Sequence, residues 1–138
     1  MSESQSPLEE ALARVGDKWT LLVIEALLEG PRRFGELADL VRGIAPNILS
    51  QRLKNLEKQS LVVARAYSQR PPRADYELTA AGKELAGALR VLAQWGGRHT
   101  EAAARVHAAC GTPLEIRWYC PTCARSVDDP ASGDLHYA

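Results

Sequence analysis

The chain predicts an α+β fold, mainly α, in which four helical segments precede a two-stranded β-hairpin and a longer helix follows it. Three observations predict it. Up to residue 59 the apolar residues recur at helical spacing, in segments punctuated by Gly30-Pro31 and Gly43. Over residues 61–78 the period drops to two, around a tip containing Pro71-Pro72. From Leu85 the helical spacing returns, through Leu89 and Leu92.

Taken in order, Leu8 to Val15 reads as a short helix. "GDKWTLLVIEALLEG" follows, with Asp17 as N-cap and Gly30-Pro31 as stop; it is apolar on most sides, as a central buried helix is. "RRFGELADLV" is a short amphipathic helix with Leu37, Leu40 and Val41 on one side, ended by Gly43. "APNILSQRLKNLEKQ" places Pro46 in a first helical turn and Leu49, Leu53 and Leu56 on a buried stripe. "LVVARAY" and "RADYEL" alternate as strands joined by "SQRPP", with Ala74, Tyr76 and Leu78 on one face and Arg73, Asp75 and Glu77 on the other. Thr79 caps the long helix, Gly96-Gly97 bends or interrupts it, and "RHTEAAARVHAA" continues it. Trp19, Phe34, Tyr76 and Trp95 read as core residues.

A chain of 138 residues, 46% apolar and 25% charged, supports one core and a small appendage. No apolar run approaches the ~20 residues that span a bilayer, and "MSESQSPLEE" lacks the regions of a signal peptide. Three cysteines, an odd number, argue against a disulfide scaffold and for a reducing compartment. The expected location is the cytoplasm. Net charge is zero, but its distribution is uneven: residues 31–76 carry nine basic and four acidic side chains, whereas residues 1–30 carry two and six. Positive charge gathered in one segment matters more to a polyanionic partner than the total does.

This order of elements is that of a winged helix-turn-helix, with the helix from Ala45 to Gln59 lying in the DNA major groove. At 1.5 Å per residue it spans about 22 Å, and the groove is about 12 Å wide, so its N-terminal half does the reading. The face opposite the leucine stripe carries Asn47, Gln51, Lys54 and Lys58, with Ser50 and Asn55 on its shoulders and Glu57 near the edge. Amides, a hydroxyl and cations suit base edges and phosphates. Asn47, Ser50, Gln51 and Lys54 are the groove candidates; Arg52, Arg70 and Arg73 are candidates for phosphates or the adjacent minor groove.

The stretches "VGDKWTLLVIEALLEGPRRFGEL", "IAPNILSQRLKNLE", "SQRPPRADYELTAAGKEL" and "LAQWG" resemble the HxlR-type winged-helix transcription regulators, relatives of the MarR type. The resemblance implies a homodimer, joined through its terminal helices, that binds a pseudo-palindromic operator in double-stranded DNA. Three positions depart from the family pattern. Ser6 stands where members often have a sensor cysteine, Ala45 where a Ser or Thr cap is usual, and Ser60 where a glycine is usual. The first removes that sensing chemistry, the second costs ~1 kcal/mol of capping, and the third strains any left-handed turn there.

Residues 1–97 are therefore expected to form the DNA-binding domain with its dimerisation helices, and residues 98–138 an extension. In that extension His107-x-x-Cys110 and Cys120-x-x-Cys123 form two pairs separated by nine residues, the spacing of paired knuckles around a tetrahedral zinc. Between them "LEIRWY" alternates as a strand, with Leu114, Ile116 and Trp118 on one face. A tail this short buries little apolar surface, so a structural zinc staple in a small zinc-ribbon-like extension accounts for it. The resemblance extends to the cysteine-bearing tails of a subset of that family. His107 is the weakest of the four ligands, and His99, Asp128 or His136 are substitutes. A thiol–disulfide switch and unmetallated cysteines are the competing readings.

Two other classes of function compete with a DNA-binding regulator. A winged-helix adaptor for proteins suits the zero net charge but not the basic middle segment. An enzyme is disfavoured: there is no serine in a nucleophile setting and no glycine-rich phosphate loop, and the metal site is of the closed, structural kind. Leu92 and Trp95 fit either helix packing or a pocket for a small-molecule effector.

Overall fold

The computed structural model describes residues 5–98, 100 and 105–127. The chain divides into two compact units, Met1–Arg90 and Val91–Ala138. Helix α1 (Pro7–Val15) is opened by Ser6, whose hydroxyl accepts from the Glu9 N–H while the Glu9 carboxylate accepts from the Ser6 N–H. Helix α2 (Lys18–Leu27) is capped by Asp17 and buries Thr20, Val23, Ile24 and Leu27. A two-residue strand β1 (Arg32–Arg33) leads into α3 (Phe34–Leu40), and Gly43 then takes a left-handed φ of 80°. Helix α4 (Pro46–Lys58) precedes the hairpin of β2 (Val62–Gln69) and β3 (Pro72–Leu78). Two helices follow, α5 (Ala80–Lys83) and α6 (Ala86–Arg98).

The sheet is antiparallel in the order β1-β3-β2. Register runs from Val62 opposite Leu78 to Gln69 opposite Pro72, with a bulge between Ala66 and Ser68. Beneath it the core gathers Val23, Ile24 and Leu27 of α2, Leu37 of α3, Leu49, Leu53 and Leu56 of α4, and Leu61, Val62 and Leu78. Trp19, Phe34, Tyr76, Leu85 and Leu89 pack around it, half-buried. Among the described residues one polar side chain joins the core, Thr20, whose hydroxyl donates to Asp17 Oδ2 at 2.7 Å.

Several elements differ from the sequence-based expectation. The strands extend beyond "LVVARAY" and "RADYEL" to a two-residue turn, Arg70-Pro71; Pro72 fits because the first residue of a strand can lack its N–H donor. Leu40 is 53% exposed. At 100° per residue the buried arc of α3 runs through Leu37, Val41, Phe34 and Ala38, and Leu40 falls outside it. The long helix is two helices, with a break at Glu84-Leu85. Its first turn packs Gly82 against the Leu61 backbone, and after the break Leu85 and Leu89 pack against the core. Gly96-Gly97 do not interrupt α6, since glycine costs a helix only about 1 kcal/mol and brings no proline-like clash. Trp95 is not core but 58% exposed, and Leu92 is 52% exposed.

In the second unit, strands β4 (Trp118–Cys120) and β5 (Arg125–Val127) form a small antiparallel ribbon. Residues 105–110, expected as helix, instead form a bridge and a turn, while His99 and residues 101–104 lie outside the described residues. Leu114 to Arg117 are not assigned to a strand, and Leu114 and Ile116 stand exposed.

Candidate nucleic-acid interface

Helix α4 is built from its leucines outward. Leu49, Leu53 and Leu56 are 0%, 1% and 0% exposed, which fixes the rotation of the helix about its axis. Asn47, Gln51, Lys54, Asn55 and Lys58 are consequently exposed along the opposite face, with Ser50 half-buried at its margin. Glu57 is exposed too, beside Tyr76, whose hydroxyl is held above its usual range by burial and by that carboxylate. Pro46 opens the helix, and Ala45 takes the extended cap conformation without a side-chain bond.

The C-terminal end of α4 is tied down by contacts remote in sequence. Arg14 Nε donates to Gln59 Oε1 at 3.0 Å, and Gln59 Nε2 donates back to the Arg14 carbonyl at 2.9 Å. Ser60 then turns the chain at φ 57°, the left-handed conformation that a glycine would adopt more cheaply. Its carbonyl accepts from the Thr79 hydroxyl at 2.6 Å, and the Leu61 N–H donates to the Leu56 carbonyl. Helix α4 and the hairpin are thus joined by a hydrogen-bonded corner.

Arg52 lies on the flank of α4 with its Nε 2.9 Å from Asp17 Oδ2. Asp17 simultaneously accepts from the N–H groups of Trp19 and Thr20 at 2.8 and 3.1 Å. Partial burial pushes the Asp17 carboxyl up, but the Thr20 side chain and backbone and the Arg52 guanidinium outweigh it and hold the carboxyl below its usual range. A depressed carboxyl stabilises the fold above its unfolded pKa, and that contribution is lost as pH falls through the folded value. Because Asp17 is 46% exposed, solvent screening limits the Arg52 pair to less than about 1 kcal/mol. In Asp17→Asn, which keeps the cap, stability by urea unfolding is expected to fall by less than about 1 kcal/mol at pH 7. The gap between the two proteins should close as pH drops below about 4; a gap unchanged at pH 3 would show that charge is not what joins α2 to α4.

The remaining charges sort by partner. Arg32 faces Glu36 at 3.8 Å, Arg33 faces Asp75 at 3.8 Å, and Arg65 faces Glu77 at 3.1 Å. Arg33 also lies over the Tyr67 ring, 4.8 Å from its centre. By contrast Lys54, Lys58, Arg70 and Arg73 are exposed and make no ion pair with any described residue. Glu36, Asp75 and Glu77 therefore pair with arginines of the sheet and Asp17 with Arg52 on the α4 flank, leaving cations on the outward face of α4 and at the hairpin tip. A polyanion finds its charge there.

The tail places its thiols in two separate pairs. His107 Nδ1 is 3.4 Å from Cys110 Sγ, which lies 3.2 Å from the Thr112 hydroxyl. The Cys123 N–H points at Cys120 Sγ, 3.5 Å away. All three cysteines are free thiols. Among the described residues no three His, Cys, Asp or Glu side chains stand together as a metal-holding group, and His99, Asp128 and His136 lie outside those residues.

A buried leucine stripe, an outward face of amides and cations, and a basic hairpin packed on the same core define a winged helix-turn-helix protein of the DNA-binding class. Residues 14–104 match the HxlR-like helix-turn-helix family model, and the chain belongs to that family of transcriptional regulators. An uncharacterised HTH-type transcriptional regulator of Mycobacterium tuberculosis is 37% identical over 122 residues, covering 85% of this chain and 77% of the relative. A transcription-factor structure from Pseudomonas aeruginosa superposes with TM-score 0.69 at 32% identity, covering 96% of this chain and 92% of that one. The reduced form of the redox regulator HypR gives TM-score 0.64 at 30% identity, covering 68% of this chain and 93% of that one. No helix among the described residues is long and apolar enough to cross a membrane.

Sequence reading located α4, the hairpin and Asp17 as a cap. It missed β1, the Arg14–Gln59 lock and the ion pair of Asp17 with Arg52. Nothing local signals these: the partners are 45 and 35 positions apart, and two residues are too few to show a period of two.

Proposed function

We propose that this regulator binds a pseudo-palindromic operator as a homodimer, with α4 in the major groove and the hairpin tip on the backbone or in the adjacent minor groove. The observation that carries the proposal is the outward face of α4, where Asn47, Gln51 and Lys54 recur at helical spacing opposite the buried stripe. Asn47, Ser50, Gln51 and Lys54 contact base edges, and Arg70 and Arg73 contact phosphates. Arg52, engaged by Asp17, adds a backbone contact from the flank of α4. Residues 1–97 supply this machinery and residues 98–138 the extension. Apolar surface supports the dimer: α1 exposes Leu8 and Leu12 at 64% and 52%, and α6 exposes Val91, Leu92 and Trp95. Leu92 and Trp95 are also the residues a small-molecule effector would meet, and the cytoplasm is the compartment this function requires.

Site selection on random DNA, followed by fluorescence titration on the selected operator, tests the docking. Gln51→Ala is expected to relax discrimination by about 1–3 kcal/mol at its base pair and to leave non-specific binding alone. Arg73→Ala should weaken every sequence similarly and reduce the salt slope by about one. Binding indifferent to both changes refutes the docking. Half-sites a turn apart, about 10–10.5 bp, together with a dimer in sedimentation, are the expected signs of two-fold recognition.

A further inference from the structure

Among the described residues of the second unit none is buried. Val106, Leu114, Ile116, Trp118 and Tyr119 are all between 45% and 65% exposed. An apolar core therefore does not hold these ribbons. What they share is a backbone motif, built twice.

In the first ribbon Val106 bridges Pro113, the His107 N–H donates to the Thr112 carbonyl at 2.9 Å, and the Leu114 N–H donates to the Arg105 carbonyl at 3.0 Å. The turn it closes carries His107 and Cys110, and the next residue, Gly111, has φ 71°. In the second, Cys120 pairs with Arg125 across β4 and β5, the turn carries Cys120 and Cys123, and the next residue, Ala124, has φ 53°. Each knuckle thus has donors at i and i+3, a left-handed residue at i+4, and the return strand in register at i+5. At Ala124 that conformation costs roughly 1 kcal/mol relative to the glycine that the first knuckle has at the same place. Left-handed backbone after the second donor bends the chain around the first donor atom, as the Cys123 N–H aimed at Cys120 Sγ shows.

We propose that the two knuckles are the halves of one tetrahedral site, in which His107, Cys110, Cys120 and Cys123 hold a single zinc-class divalent ion. Two halves each supply two nitrogen or sulfur donors, the set that structural zinc takes. Among the described residues the two pairs do not form one cluster, so a shared ion would join them and its affinity would become folding energy of the tail. Three metal–sulfur bonds and one metal–nitrogen bond form; the three thiols release their protons to solvent, and His107 binds as neutral imidazole. The inference is independent of the DNA-docking proposal, since no residue of α4 or of the hairpin takes part.

The test uses the full-length chain purified without chelator, with zinc measured by elemental analysis and cobalt(II) titrated into the metal-free protein. About one zinc per chain is expected, with a cobalt spectrum showing thiolate charge transfer and tetrahedral d–d bands. Cys110→Ser should lower the charge-transfer intensity by about a third, as one of three sulfurs is lost, and His107→Ala should weaken cobalt binding at least about tenfold. Less than about 0.3 zinc per chain with no cobalt bands overturns the proposal. So does a spectrum untouched by Cys110→Ser or binding untouched by His107→Ala. A chain that carries no zinc as purified, binds no cobalt and joins Cys120 to Cys123 under mild oxidant overturns it in favour of a thiol switch.

Discussion

Leu53→Ala will cost the winged unit about 3–4 kcal/mol and lower its melting temperature by roughly 12–32 °C. Leu53 is 1% exposed in the middle of the α4 stripe, and α2 packs against α4 there. Truncation removes a fully buried side chain from the core that α2 and α4 share, and the cost grows with the void left behind. Domains of this size are stable by about 5–15 kcal/mol, so a large fraction of the folded margin disappears. The outward face of the same helix behaves differently. Gln51→Ala, exposed two residues away, should change stability by no more than about 0.5 kcal/mol while altering recognition. Urea unfolding of both variants, with DNA titration well below the Leu53→Ala midpoint, separates the two roles. A loss below about 1 kcal/mol for Leu53→Ala would mean that the stripe is not what seats α4.

The second large effect is at Gly82. In most helices glycine to alanine is a gain, up to about 1 kcal/mol. At Gly82 an added methyl would lie 2.3 Å from the Leu61 carbonyl oxygen and 3.0 Å from Leu78 Cδ2. Backbone cannot step aside as a flexible side chain can, and Leu61 is held by its own bonds to Leu56 and Thr79. Gly82→Ala is therefore expected to cost about 2–3 kcal/mol, the range of overpacked cores. Gly87→Ala is the matched control, because nothing lies within 4 Å of a methyl added there, and it should gain up to about 0.5 kcal/mol. Opposite signs for one substitution, in thermal melts of both variants, identify the α5–Leu61 contact as the cause. If both variants gain stability, that contact is not tight in solution.

This contrast also marks the limit of sequence reading. Local signals were enough for the order of elements. Asp17, Pro46 and Thr79 mark helix starts through the hydrogen bonds or dihedrals of single residues, and these bonds form as expected at Asp17 and Thr79. The stripe Leu49, Leu53, Leu56 fixed the outward face of α4 because a helix has one period and one buried side. Ser60 was legible as a strained corner for the same reason, since a left-handed turn discourages any side chain. Where a pattern was extended without such a signal it failed. Leu92 and Trp95 continue the spacing of Leu85 and Leu89 yet are exposed, because spacing shows a shared face and not what covers it. Of "LEIRWY" only Trp118 and Tyr119 are strand, opposite Val127 and Ser126, because alternation makes a strand only where a second strand is within reach.

The amino-acid sequence by itself determined the class of protein: a basic winged helix-turn-helix of the HxlR-like family, with α4 presenting amides and cations. Tertiary structure alone decided how α4 is held. The Arg14–Gln59 lock, the Asp17–Arg52 pair and the approach of Gly82 to Leu61 join residues 45, 35 and 21 positions apart. The physical reason is range. Capping, helical periodicity and turn chemistry act within a few residues and are written locally. The partners of Gln59 and Gly82 become neighbours only after the core has closed.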